Sequence, residues 1–202
     1  PARNDPVARD RFLTIMGEQA RRMSRLVDDL LSLSRIEQSS HLQPTTIVDL
    51  SSIVGHIVDT LTPMAEENRT RVIANSTNSV FVRGDRDELV RVAENLIENA
   101  IKYGVSDKPV EVTVAQRGGD GILIVRDHGP GIAPEHLPRL TERFYRVDAG
   151  ESRAKGGTGL GLAIVKHILA RHRGRLTIDS GPGQGATFSA VLPLGEAEGQ
   201  KS

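Results

Sequence analysis

The chain has no cysteine and no tryptophan among its 202 residues, and aromatic residues make up only 3% of it. Without cysteine it can form neither a disulfide nor a thiolate metal site, which is compatible with a cytosolic protein. Its 26 basic and 26 acidic residues cancel, which argues against a nucleic-acid groove or a polybasic membrane surface. No apolar run approaches the roughly 20 residues that span a bilayer. We therefore expect a soluble, cytoplasmic chain that contacts neither nucleic acid nor membrane.

The first 37 residues predict one long helix with a wide apolar face. Asn4 or Asp5 can cap it, and Pro6 suits its first turn. The width of the apolar face favours packing in a multi-helix bundle. The alternative is a helix that folds back on its own domain. The polar segment 38–45, which contains Pro44, predicts a linker. The apolar positions are Phe12, Met16, Met23, Leu26, Val27, Leu30, Leu31, Leu33 and Ile36.

Residues 46–194 predict a single α+β domain. Helical patterns cover residues 50–67, the segment that follows Gly84 and Asp85, and the segment after Leu160, and period-two strands lie between and after them. The segments "PVEVTVAQR" and "ILIVRD" flank "GGDG" and predict a hairpin. Strands that follow strands favour a mixed sheet with helices on one face, a two-layer α/β sandwich. Segment 128–157 predicts a long loop, and the tail 195–202 is expected to be disordered.

The segment "GGTGLGLAIV", residues 156–165, places glycines directly before a helix. It is not a Walker loop, because Lys155 precedes the glycines instead of following them, and it is not a Rossmann turn, because no strand precedes it. Gly157, Gly159 and Gly161 can bring backbone N–H groups to an anion at a helix N-terminus. A simple tight turn is the alternative for this motif taken alone.

Two further motifs carry polar side chains that suit a nucleotide. In "NLIENAIKYG", Asn95, Asn99 and Lys102 fall on one helical face, which suits a hydrated Mg²⁺ that carries phosphates. In "VRDHGPGI", Asp127 ends a strand and can accept a hydrogen bond from a purine amino group, with Gly129 and Gly131 beside it. The alternatives are a solvated helix face and ordinary turn chemistry.

Together the motifs resemble the boxes of sensor histidine kinases in the Bergerat-fold superfamily. "NLIENAIKY", "DHGPGI", "ERFYRV", "GGTGLGLAIV" and "GPGQGATF" look like the N, G1, F, G2 and G3 boxes, in order, and the resemblance covers about residues 46–193. Upstream, "RMSRLVDDLLSLSRIE" resembles the second helix of the dimerisation and phosphotransfer hairpin, in a form closest to the phosphate-regulon sensors. Residues 1–37 are then part of that hairpin, and residues 46–194 the catalytic domain.

This resemblance implies ATP and Mg²⁺ as cofactors and gives roles to the matching residues. Asn99 is expected to coordinate Mg²⁺, Asn95 to support the metal and phosphates, and Lys102 to reach a phosphate. A lid between Ile132 and Lys155 is expected to order on binding. The other implied nucleotide-binding residues are Tyr103, Asp127, Gly129, Gly131, Ile132, Phe144, Arg146, Arg153, Gly157, Thr158, Gly159, Leu160, Gly161, Leu162 and Thr187.

The phosphoacceptor histidine that the family carries is missing from this sequence. The six histidines lack the acidic and proline neighbours of that motif, so each is expected to be structural or at the surface. They are His41, His56, His128, His136, His167 and His172. The chain is therefore expected to be a fragment that binds Mg-ATP but cannot phosphorylate itself.

The implied partners are the acceptor hairpin of the same kinase, a response regulator receiver domain and, in the complete protein, a second copy and an inner-membrane anchor. Asn95 stands where hydrolysing relatives of the fold have a glutamate base, which implies transfer to an imidazole rather than rapid hydrolysis. Two alternatives are a nucleotide-gated interaction module without kinase activity and a serine kinase of the anti-sigma type.

Overall fold

A computed structural model of the chain describes residues 6–38, 42–76, 78–147 and 157–195, apart from the side chains of Pro6 and Glu18. Its helices and strands follow the order that the sequence patterns predict. The helices are α1 (Pro6–Gln38), α2 (Leu50–Glu67), α3 (Arg86–Tyr103) and α4 (Gly161–Arg171). The strands are β1 (Ile47–Asp49), β2 (Val72–Ser76), β3 (Phe81–Arg83), β4 (Val110–Arg117), β5 (Asp120–Asp127), β6 (Arg175–Ser180) and β7 (Ala186–Pro193).

Five strands form one mixed sheet in the order β2-β4-β5-β7-β6. Strands β2 and β4 pair in parallel, and the other neighbours pair antiparallel. The predicted hairpin is confirmed, since Arg117 pairs with Asp120 across the glycine turn. Strands β1 and β3 form a separate two-stranded ribbon, which a bridge between Val82 and Leu194 ties to the end of β7.

One face of the large sheet packs against α2, α3 and α4. Alternate residues of each central strand point into this layer, as the period-two pattern predicts. Val112, Val125 and Phe188 are all at most 5% exposed, and they meet Leu96 of α3 and Ile164 of α4 in one core. The fold is thus the predicted two-layer α/β sandwich.

Side-chain caps set the starts of α2 and α3. Asp49 accepts hydrogen bonds from the backbone N–H groups of Ser51 and Ser52, and Asp85 accepts from those of Asp87 and Glu88. Such caps satisfy N–H groups that have no partner within the helix. Asp85 is the residue that the sequence pattern placed at the start of this helix.

In the part of the chain that the structure describes, helix α1 docks on the sandwich through its C-terminal part. Leu33 and Ile36 are 2% and 4% exposed and belong to the common core, where α1 runs against α4. Towards the N-terminus the heptad positions face outward, with Phe12 58% and Met23 69% exposed. The interpretation as a helix folded on its own domain therefore applies to the last turns, and the bundle stays a prediction for the rest.

The boundaries differ slightly from those expected. Helix α1 continues to Gln38, one residue past its predicted end. At the other end Gly195, inside the predicted tail, donates from its backbone N–H to the carbonyl of Phe81. The predicted loop after β5 contains a short 3-10 helix, Leu137–Arg139. The proposed cap residues Asn4 and Asp5, and also His41, lie outside the described residues.

Gly131 occupies a position that a larger residue cannot. Its φ of +74° is in the left-handed region, and a methyl group there would lie 1.9 Å from the carbonyl oxygen of Gly181. Gly118 in the hairpin turn has a similar φ of +59°, but a methyl group there would have no atom within 4 Å. The two glycines therefore share the same backbone requirement but not the same crowding.

We expect Gly131→Ala to destabilise the fold more than Gly118→Ala. The Gly118 substitution costs only left-handed strain, about 1–2 kcal/mol, while overpacking at Gly131 adds a further ~1–3 kcal/mol. The free energy of unfolding from urea titration measures both. Equal losses in the two variants would contradict the crowding at Gly131.

His172 is a structural histidine, as expected from the sequence. Its side chain is fully buried, Nε2 accepts from the backbone N–H of Asp85, and Nδ1 lies 2.8 Å from the carbonyl oxygen of Ile168. Since Nε2 must be the acceptor, Nδ1 carries the proton and the ring is neutral. Burial lowers the pKa of His172, with Arg171 acting in the same direction and the Ile168 bond, Glu88 and Asp85 opposing it.

This lowered pKa predicts a loss of stability in mild acid. Below about pH 6.5 the unfolded chain binds a proton on His172 that the folded chain excludes, so the free energy of unfolding falls by up to ~1.4 kcal/mol at pH 5.5. His172→Gln removes this part of the pH dependence between pH 7.5 and 5.5, as urea titration can show. His56→Gln is the matched control, because His56 is exposed on α2. An unchanged slope in His172→Gln would contradict the assignment.

Candidate nucleotide-binding site

A cavity of about 570 Å³ opens between α3, the start of α4 and the adjoining ends of β5 and β7. Side chains of α1 close part of its rim. Most of the predicted site residues line it, although they come from four separate motifs. They are Asn95, Asn99, Lys102, Tyr103, Asp127, Gly131, Ile132, Arg146, Gly157, Thr158, Gly159, Gly161 and Leu162.

Helix α3 supplies one wall of the cavity. Asn95, Asn99 and Lys102 lie on the same face, as their spacing predicts. The side-chain N–H of Asn95 donates to the carbonyl of Arg91 one turn earlier, at 2.8 Å. Nζ of Lys102 lies 2.6 Å from a carboxylate oxygen of Glu98. The wall thus presents amide groups beside an ion pair.

Asp127 lies at the inner end of the cavity. It is 4% exposed, and its Oδ1 accepts from the backbone N–H groups of Gly129 and Ala186, at 2.8 and 3.2 Å. Burial raises the pKa of this carboxyl group, while the two N–H donors and His128 oppose the rise. The carboxylate is therefore held in one orientation at an energetic cost.

The glycine segment lies where α4 begins. The backbone N–H of Leu160 donates to the hydroxyl of Thr158 at 3.3 Å, and Arg146 donates to the carbonyl of Gly157. Gly161 has a second reason to be glycine, because a methyl group there would lie 2.3 Å from Oδ1 of Asn95. The first turn of α4 therefore meets the amide wall of α3 directly.

Thr187 does not line the cavity, which corrects the expectation for this residue. Along β7, Ala186 and Phe188 point to the cavity, and Thr187 points to the opposite face of the sheet, beside Arg126 and Asp179. The error is one residue of strand parity, because neighbouring side chains alternate between faces. Ala186 and Phe188 were missed, although the apolar–polar alternation of "ATFSAV" carried that signal.

Three more predicted residues contribute differently, and one cannot be placed. Gly129 lies against backbone, where a methyl group would lie 2.3 Å from the carbonyl oxygen of Tyr103. Leu160 is fully buried in the core. Phe144 is 56% exposed, and its backbone N–H rather than its ring holds the loop, by donating to the carbonyl of Gly159 at 2.8 Å. Arg153 lies outside the described residues.

Helix α1 also contributes to the rim of the cavity, which the sequence interpretation missed. Arg25, Asp28 and Asp29 all line it. Their spacing of three and four residues puts them on one helical face. That spacing could have indicated a polar face, but the apolar seam of the same helix favoured a bundle.

Comparison with known proteins identifies the family of the chain. Residues 84–196 match the family described as "Histidine kinase-, DNA gyrase B-, and HSP90-like ATPase". The chain belongs to this family. The matched range contains all five sequence motifs, the N, G1, F, G2 and G3 boxes.

Two relatives that match over nearly the whole chain are sensor kinases. The chain is 37% identical over 190 residues to the sensor-like histidine kinase SenX3 of Mycolicibacterium smegmatis, which covers 94% of the chain and 50% of SenX3. It is 39% identical over 191 residues to the phosphate regulon sensor protein PhoR of Pseudomonas aeruginosa, covering 93% of the chain and 43% of PhoR. The chain thus spans about half the length of these relatives.

The fold matches a solved histidine kinase. Full-length ShkA, determined in complex with AMPPNP, superposes with a TM-score of 0.79 at 26% identity, over 93% of this chain and 39% of ShkA. The predicted kinship is confirmed, and the chain carries the ATP-binding catalytic part of a sensor histidine kinase. These relatives favour that identity over the interaction module and the serine kinase.

Two kinds of feature are absent from the residues that the structure describes. No helix there is long and apolar enough to span a membrane. In the same residues, no group of three or more histidine and carboxylate side chains is arranged to hold a metal ion.

We expect Asp127→Asn to lower nucleotide affinity without lowering stability. Asparagine keeps an acceptor for the two backbone N–H groups but turns a donor towards the purine amino group. A mismatched buried pair costs about 1–3 kcal/mol, which is about a 5- to 150-fold rise in Kd. Removing a desolvated charge leaves the free energy of unfolding at pH 7 at least as high. Calorimetric titration with ATP and urea unfolding measure the two effects.

Asp120→Asn, at the other end of β5, is the control for that substitution. It removes the same charge from the same strand away from the cavity, so ATP affinity is expected to remain at the wild-type value. Equal ATP affinity in wild type and Asp127→Asn would remove Asp127 from the nucleotide site.

Proposed function

We propose that this chain binds Mg-ATP in the cavity and transfers the γ-phosphate to a histidine on a hairpin helix outside this sequence. The observation that supports it best is that Asn99, Asp127 and Gly159, which lie far apart in sequence, line one cavity. Phosphoryl transfer needs positioning and charge neutralisation more than covalent help from the protein. The transferred phosphate then passes to a response regulator receiver domain.

At the inner end of the cavity, the adenine amino group donates to Asp127. The carboxylate already has two backbone donors on Oδ1, so its direction is fixed before the base arrives. Ile132, Ala186 and Phe188 line the same cavity and provide apolar surface for a flat base. A rigid acceptor with apolar neighbours suits selective binding of a purine.

At the outer end, the phosphates meet donors from three segments. Lys102 and Arg146 supply positive charge, and the backbone N–H groups of the glycine segment supply hydrogen bonds at the start of α4. The dipole of that helix favours an anion there. Asn95 cannot act as a base towards water, because its amide does not accept a proton at neutral pH, so the site favours transfer over hydrolysis.

The donor set also fits Mg²⁺, which would neutralise charge on the phosphates. Mg²⁺ prefers oxygen ligands and keeps several waters, so one or two side chains suffice. Asn99 is the ligand that we propose, with Asn95 supporting it. The charged side chains that line the cavity also favour a bound cation, because the carboxylates outnumber the lysine and arginine side chains. They are Arg25, Arg91, Lys102 and Arg146 against Asp28, Asp29, Asp87, Glu94, Glu98 and Asp127.

The acceptor lies outside this chain. His128 faces Glu111, His136 contacts Tyr145, and His172 is buried in the fold. Helix α1 corresponds to the second helix of the hairpin, so we place the acceptor on the first. In the complete protein this hairpin pairs with that of a second copy, on the cytoplasmic side of an inner-membrane anchor.

We expect the chain to phosphorylate a hairpin peptide that carries a sensor-kinase acceptor histidine. Incubation with radiolabelled ATP and Mg²⁺ should give an acid-labile label on the hairpin and none on the chain itself. Chelation of Mg²⁺ or Asn99→Ala should remove the label. Asn75→Ala is the matched control, because Asn75 is exposed on the edge strand β2. Label on the chain alone, or ATP binding without any transfer, would contradict the proposal.

A further inference from the structure

Asp29 of α1 holds two groups at the phosphate end of the cavity. Its Oδ2 accepts a hydrogen bond from the hydroxyl of Thr158 at 2.7 Å, and its Oδ1 lies 3.3 Å from Nη2 of Arg91. The side chain of Asp29 is 19% exposed and that of Arg91 33% exposed. This contact therefore joins α1 to both α3 and the glycine segment, at partly buried positions.

The groups held by Asp29 are of the kind that phosphate oxygens need. Thr158 offers a hydroxyl donor and Arg91 a guanidinium, and both line the cavity together with Asp29. A phosphate oxygen that accepts from either group must share it with a carboxylate or displace it. Two negative groups a few ångströms apart repel each other even in water. A bound triphosphate therefore competes with Asp29, whereas the nucleoside part lies at the other end of the cavity, beside Asp127.

We propose that Asp29 is a specificity-determining residue of the nucleotide site: it competes with the phosphate chain for Thr158 and Arg91. This inference rests on the proposed nucleotide function and deepens it. Binding of the triphosphate then occurs at the expense of the contact between α1 and the catalytic domain, and a nucleoside leaves that contact intact. Asp29 thereby couples the phosphate chain of the ligand to the position of α1.

Three other residues of α1 that contact the catalytic domain lie nearer its C-terminus than Asp29 does. Leu33 and Ile36 are buried against the core, and Glu37 pairs with Arg143 and lies 3.8 Å from His167. Release at Asp29 leaves these contacts in place. Helix α1 can therefore loosen near the cavity while its last turns stay attached.

Asp29→Asn tests the competition, since asparagine keeps the shape and one acceptor oxygen but removes the charge. We expect the Kd for Mg-ATP to fall on the order of tenfold, the size of one screened like-charge interaction, and the Kd for adenosine to stay unchanged. Asp28→Asn is the matched control, because Asp28 lines the same cavity from the same helix. It should change the ATP affinity much less. Calorimetric titration at constant Mg²⁺ measures all six values.

The position of α1 gives an independent readout. The chain has no cysteine, so spin labels attach only at cysteines that are introduced. We choose Ser24→Cys in α1 and Ala170→Cys in α4, which are both exposed positions. In the wild-type background, Mg-ATP should lengthen the mean distance between the labels or broaden its distribution. Adenosine should do neither. In Asp29→Asn the change should be present before ATP is added.

The outcomes separate this inference from the proposed function. If neither ATP nor adenosine binds the wild-type chain, the proposed function fails. If both bind but Asp29→Asn leaves the ratio of their Kd values unchanged, the role of Asp29 alone is refuted. The same holds if Asp28→Asn changes the ratio equally, since the effect is then one of general charge, or if ATP and adenosine move the labels alike.

Discussion

The site depends on the hydrogen bonds that the buried carboxylate of Asp127 accepts from two backbone N–H groups. Its two backbone donors belong to the turn after β5 and to the first residue of β7. One oxygen atom thus fixes how the turn leaves the sheet and where the neighbouring strand begins. Burying the charge is unfavourable, as the raised pKa of Asp127 indicates. In return, the cavity gains a hydrogen-bond acceptor with a fixed direction. Such buried polar groups, satisfied by backbone donors, restrict a core to one arrangement.

Much of the fold could be predicted from the sequence, because its local signals agree with one another. The cap at Asp85, the turn at the paired glycines and the alternation along β4 each specify a boundary or a face by local chemistry. The polar face of α3 was predictable for the same reason, since Asn95, Asn99 and Lys102 share one element and its spacing alone places them together.

The rest of the site depended on relations between elements, which local patterns do not contain. The direction of Thr187 depends on the register of β7 against β5, and a shift of one residue reverses a strand. The rim residues Arg25 and Asp29 lie in a helix whose apolar seam was the stronger signal, and its packing angle on α4 decides whether they reach the cavity. The contribution of Phe144 comes from its backbone, about which side-chain chemistry says little.

The contacts that build the cavity join residues far apart in the chain, by 59 positions for Asp127 and Ala186 and by 129 for Thr158 and Asp29. Contacts of such long range form late, because closing large loops costs entropy before any contact compensates for it. A partly folded chain therefore has no cavity to offer a ligand. Any molecule that fills it binds only the completed fold, and by mass action it raises the melting temperature of the whole catalytic domain.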